Sequence, residues 1–245
     1  MWTVRDRSEL EAVNESELLV GHITEGGHDW VCRATGGTNG ISLGDPDGLL
    51  HVSVRGSSQT ALNQTAAGDR ALGDAMLPVA GEQFVKLDQW KIDFPQTTGE
   101  YSLRLSIRVV KSTATRCVLE PTFSIQTSLL DTHPTLDLKS VGGTVKHRVL
   151  TASTTDESVS VWTIAFAGNA GMIAVLLGPH DAPLTTDQSS ADKIQLQLFG
   201  EFLEKGVIRK ARPWVVLDRS ENGITADDLA SLADALCQTP LPLVF

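Results

Sequence analysis

Residues 101–109 alternate without interruption: Tyr101, Leu103, Leu105, Ile107 and Val109 fall on one side, Ser102, Arg104, Ser106 and Arg108 on the other. A period of two places every apolar residue on one face of a pleated strand, whereas a helix would scatter them around its cylinder. The same alternation returns at Ile194, Leu196 and Leu198. One segment alone carries a persuasive helical stripe: Leu229, Leu232, Ala233 and Leu236, with Thr225 as N-cap, Asp227 and Asp228 in the first turn and Pro240 beyond the end. A chain patterned in this way has to bury half-wet strands against one another.

Further strand-like runs lie at 19–24, 30–34, 49–55, 135–140, 144–150, 158–166 and 171–177. Residues 84–94 and 101–110 read as a hairpin around 95–99, and 116–129 as a strand in which Pro121 implies an edge or a bulge. Segment 35–48, with Asn39-Gly40 and Asp47-Gly48, reads as turns, and its glycine spacing matches no phosphate-binding loop. Residues 56–75 are polar and aperiodic, and 179–191 read as a loop. Residues 1–18 are expected to form an acidic arm, solvated or opening a short helix at Ser8, with 19–245 as one sandwich that includes a helix over 225–238 and docks the apolar tail LPLVF. The fold class expected is all-β: a large antiparallel two-sheet sandwich with one C-terminal helix. In size and strand order this resembles the galactose-mutarotase-like sandwiches, a likeness of fold that no motif carries and that licenses no function.

At 245 residues, 41% hydrophobic and 20% charged, the chain is long enough for a large core and too apolar to stay disordered. Its net charge of −10 opposes binding to nucleic-acid phosphates. The longest apolar run, 171–178, is too short to span a bilayer, and the N-terminal stretch shows no secretory h-region. Cys32, Cys117 and Cys237 are odd in number and far apart, which predicts free, mostly buried thiols in a soluble cytoplasmic protein.

No sequence motif assigns a chemistry. The six histidines show no metal-ligand spacing, so no metal and no cofactor is expected. Asp131 and His133, flanking a strand end, are the acid/base candidates, against the plainer reading of an Asx turn beside a surface histidine. No GxSxG elbow occurs. Trp90 and Trp214 sit among charges, as tryptophans do both in sugar sites and at sandwich rims.

The ligand-site candidate is Lys193–Asp218, read as two strands folded back at Lys205-Gly206. That turn would set Glu201 opposite Lys210, Phe202 opposite Arg209 and Phe199 opposite Arg212. From Glu204 to Arg219, five cations stand against two acids in an otherwise acidic protein. The expectation is that Glu201, Glu204, Arg209, Arg212 and Trp214 converge on a cleft for a carbohydrate-like or anionic small ligand. A solvated strand face is the plainer reading. The alternative function is a non-enzymatic protein–protein interaction module that docks through the exposed hairpin or a sheet edge, and a homo-oligomer is compatible with either.

Overall fold

The structure is a computed structural model describing residues 2–4, 20–25, 28–45, 47–58, 76–97, 99–153, 158–168 and 170–240, without the side chains of 25, 28, 57–58, 147–153 and 158–168. The described residues form two antiparallel nine-stranded sheets. The first runs β1 (Trp2–Val4), β2 (Val20–Glu25), β3 (His28–Gly37), β4 (Gly40–Gly44), β5 (His51–Ser58), β11 (Pro134–Val141), β16 (Lys193–Phe199) and β15 (Thr185–Asp187), with β6 (Leu77–Val79) on β3. The second runs β12 (Gly143–Ser153), β13 (Ser158–Gly168), β14 (Gly171–Leu177), β18 (Trp214–Asp218), β10 (Arg116–Gln126), β9 (Ser102–Ser112), β8 (Gln89–Phe94) and β7 (Gln83–Lys86), with β17 (Ile208–Ala211) on β10.

The alternation read from the sequence is the alternation that fills the core. Leu103, Leu105 and Ile107 of β9 meet Trp30, Leu43, Val54, Leu136 and Leu196 of the facing sheet, all of them buried. Each such side chain contributes about 1.5–3 kcal/mol by leaving water. Trp2 joins this core, its ring 5.5 Å from that of Trp90, so residues 2–4 are an edge strand rather than part of a solvated arm. Gly21 makes the approach possible, since a Cβ there would stand 2.8 Å from both tryptophan rings. In the same cross-strand row as Trp2, Arg219 covers the Trp30 ring at 3.8 Å and ties the two sheets together.

The outer face of the second sheet carries a second, smaller core. Val118, Ala174, Leu176, Trp214 and Val216 project away from the first sheet and are covered by Leu229, Ala233 and Leu236 of helix α1 (Ala226–Gln238). Thr225 and Asp228 close a capping box at its start. No helix among the described residues is long and apolar enough to cross a membrane.

Four further local expectations are corrected. The largest concerns 193–218, which is not a hairpin: β16 belongs to the first sheet beside β11, while β17 and β18 belong to the second beside β10. Phe199 and Gly200, at φ +67° and +98°, end β16, and the chain then crosses the sandwich with Leu203 buried in the gap. A turn at Lys205-Gly206 does form, but it leads into the opposite sheet and the expected cross-strand register is lost. Segment 35–48 contains a strand, β4, because Ile41 and Leu43 are core residues between two tight turns.

Residues 84–94 split into β7 and β8 about a turn in which Leu87 and Asp88 take φ +52° and +57°, a left-handed pair that suits a two-residue hairpin. Of the two readings of Pro121, an edge or a bulge, the edge is excluded because β10 is a central strand, and the β9–β10 register does shift nearby, between Val118 and Leu119. β18 pairs with 116–119 and β17 with 123–126, so the ladder on that side is interrupted opposite the proline. Loop 179–191 contains β15, which extends the first sheet. The expected docking of 241–245, and most of the polar stretch 56–75, fall outside the described residues.

Candidate functional site

Beyond α1, the outer face of the second sheet is polar across β8, β9, β10 and β17. There the register of four strands aligns side chains into rows. Asp93 of β8 pairs with Arg104 of β9, Arg104 with Ser124 of β10, and Ser124 with Lys210 of β17. In the adjacent row Ser102 pairs with Gln126, and Gln126 with Ile208. With strands about 4.8 Å apart, the first row runs roughly 14 Å across the sheet. These residues, with Pro95 at one wall and Ile208 at the other, line an open groove of about 310 Å³. Arg104 donates from Nε to Asp93 Oδ1 at 2.6 Å. The contact uses Nε and not the outer nitrogens of the guanidinium fork. Both partners are solvent-accessible, so the pair orients the two groups and adds little stability.

Glu120 marks the seam between this polar face and the helix-covered one. It is buried and accepts two bonds from Arg108, at 3.1 and 2.9 Å, on the open side. On the helix side Oε2 accepts from Trp214 Nε1 at 2.7 Å. The alternation of β10 places this carboxylate where apolar Val118 gives way to Thr122, Ser124 and Gln126.

The residues singled out from the sequence are distributed over three places. Glu201 and Arg209 meet at 3.0 Å at one end of the sandwich, with Glu204 exposed on the adjoining turn. Trp214 is buried beneath α1. Arg212, also buried, donates from Nη1 to the Pro240 carbonyl at 2.6 Å and from Nη2 to that of Thr239 at 3.3 Å. A cation there neutralises the negative end of the helix dipole. Arg212 and Trp214 are thus not brought to Glu201 and Arg209: Ala211 turns into the core, so Arg212 lies on the sheet face opposite to Arg209.

Arg212 does line a second, smaller cavity of about 200 Å³ with Asp181, His180 and Cys237. Burial pushes the Asp181 carboxyl above its ordinary range, against the Arg212 backbone N–H that bonds it. Asp131 and His133 stand 3.7 Å apart on an exposed loop, and the imidazole packs against Phe202 rather than into a cavity. Trp90 is a core residue whose Nε1 donates to Gln83. Among the described residues no group of His, Cys, Asp and Glu is arranged to hold a metal ion. The three thiols are free, Cys32 and Cys117 buried in the core.

Asp93, Arg104, Ser124 and Gln126 were not singled out from the sequence. On a strand, Arg104 reads as one more solvated outward residue, and only the β8–β9 hairpin registers it against Asp93.

No family model matches the sequence, and no curated protein matches it. Among solved structures, a chain provisionally described as a kojibiose phosphorylase from the human microbiome is similar over 96% of this chain and 35% of its own length, with a TM-score of 0.43 and 11% identity. This chain therefore spans about a third of that protein.

Proposed function

We propose that the protein binds a small polyhydroxylated ligand of the carbohydrate type in the groove across β8, β9, β10 and β17. The observation that carries this reading is the row Asp93–Arg104–Ser124–Lys210, four polar side chains of differing hydrogen-bonding character held in register on rigid strands. A carboxylate accepts, a guanidinium and an ammonium donate, and a hydroxyl does both, which is the mixture that vicinal hydroxyl groups require. Ser102 and Gln126 add a second line of such groups, and Pro95 and Ile208 supply apolar walls for the C–H faces of a ring. The volume is at the lower end of small-ligand sites, matching one or two sugar units rather than a long chain. Net donor character at Arg104 and Lys210 favours ligands with an acidic substituent. The reading assigns binding and no catalytic step.

Calorimetry or ligand-observed NMR against neutral sugars, uronates and sugar phosphates tests it. A ligand should be found whose affinity falls at least about tenfold, or 1.4 kcal/mol, on Arg104→Ala, with the melting temperature unchanged. Binding that is unaffected by Arg104→Ala and by Lys210→Ala, or no binding across the panel, overturns the reading.

A further inference from the structure

Two connections meet at one end of the sandwich: residues 127–133, between β10 and β11, and residues 200–207, between β16 and β17. They are bound to each other by the main chain. Leu203 donates to the Thr132 carbonyl at 2.9 Å and Gly206 to that of Thr127 at 2.9 Å, while Gln126 Nε2 reaches the Gly206 carbonyl at 3.1 Å. Leu203 anchors the pair in the core, and Phe202 rests on His133 with ring centroids 5.9 Å apart. The tip is therefore a preformed platform, and little ordering is needed for it to bind something.

This platform exposes Leu129, Leu130, Phe202, Val207 and Ile208, five of the thirteen large hydrophobic side chains exposed among the described residues. Leu130 is 80% exposed. Single exposed leucines are ordinary, but five such side chains on two connections tied together by main-chain bonds mark an interaction surface. The charges on these two connections and the start of β17 are Asp131, Glu201 and Glu204 against Lys205, Arg209 and Lys210, equal in number in a chain of net charge −10. Two copies of such a chain repel each other over most of their surface. Here the local charge is neutral and each copy offers both signs, as a two-fold interface demands of one patch meeting itself. A balanced rim gives no attraction to an anionic membrane.

We propose that this tip pairs with the same tip of a second copy of the chain, about a two-fold axis passing near Leu130. The apolar residues form the centre of the contact, and Asp131, Glu204 and Lys205 meet their counterparts around it, Glu201 and Arg209 being already paired within each copy. The surface adjoins the proposed ligand groove and shares its edge at Gln126, Ile208 and Lys210.

Sedimentation equilibrium of the full chain, from micromolar to near-millimolar, should show a concentration-dependent dimer. Leu130→Asp and Phe202→Asp should each weaken it at least about tenfold, because a symmetric contact meets every substitution twice. Circular dichroism and melting should be unchanged for Leu130→Asp, and Leu87→Asp, an equally exposed leucine on the β7–β8 turn, should leave the dimer intact. Mild oxidation of Leu130→Cys should cross-link the dimer across the axis. A monomer at every concentration overturns the proposal. So does a dimer indifferent to Leu130→Asp and Phe202→Asp, or association of the tip with lipid vesicles in place of self-association.

Discussion

Arg116 and Asp228 are 112 residues apart in the chain, yet Nη1 and Nη2 of the arginine stand 2.9 and 3.1 Å from the two carboxylate oxygens. The same guanidinium binds Asp218, whose side chain is fully buried on β18, and reaches the Gly223 carbonyl. Asp228 is also the third helical residue of the capping box. Arg116 thereby fixes the start of α1 to the second sheet, as Arg212 fixes its end through the carbonyls of Thr239 and Pro240.

Replacing Arg116 by Met strands the buried Asp218 carboxylate with only the local Ser220 donors. The expected cost in urea unfolding is about 3–5 kcal/mol, the magnitude found when one partner of a buried pair is removed. Arg104→Ala, at an exposed pair, should cost under about 1 kcal/mol. Equal effects of the two substitutions would refute the clamp.

Trp214→Phe keeps an aromatic ring beneath α1 but leaves part of the indole's space unfilled and removes the donor to Glu120 Oε2. Glu120 retains Arg108, so a loss of about 1–3 kcal/mol is expected. Glu120→Ala leaves the indole N–H buried without its acceptor and should cost more than Trp214→Phe, as chemical denaturation of the two variants would show.

The Arg116 guanidinium, and then the Thr225 N–H, hold the Asp228 carboxyl well below the usual carboxylate range. A depressed folded value means that this contribution is present above the unfolded value of about 3.9 and is lost as pH falls from there through the folded one. Asp228→Asn should accordingly flatten the acid limb of the stability curve. Asp181 behaves oppositely. Burial raises its folded value, so its contribution is complete below about 3.9 and is lost as pH rises through the folded value. The stability of Asp181→Asn relative to the unsubstituted protein should therefore grow with pH, and a constant difference between pH 3 and 7, roughly the window spanned, would contradict the assignment.

Burial pushes the Cys117 thiol up to about 12, and Cys32, wholly enclosed beside it, is raised as well. A thiolate is needed for alkylation. In native protein at pH 8, close to the unperturbed thiol range, iodoacetamide should label Cys237 and spare the other two until denaturant is added. Mass spectrometry of labelled peptides checks this, and rapid native labelling of Cys32 would contradict the enclosed core.

Alternation alone was enough to establish that Tyr101–Ile107 and Ile194–Leu198 present one buried face each, because a period of two permits a strand no other amphipathic arrangement. The helix was equally legible: Thr225, two aspartates, a leucine stripe and a following proline are local signals, and each acts within a few residues of itself. What alternation does not encode is which sheet a strand joins. β16 alternates and the four-residue β17 does not, yet neither pattern says on which side of the core its strand lies, and the left-handed backbone at Phe199 and Gly200 is resolved only when both faces have partners to bury against. The groove followed from the same cause. Asp93, Arg104, Ser124 and Lys210 are ordinary outward residues on four strands, brought into one row by a register that depends on pairing across the whole sheet. Arg212 and Trp214, near Arg209 in the chain, were carried instead to the helix-covered half, because α1 buries the apolar part of that outer face and needs a cation at its C-terminal end.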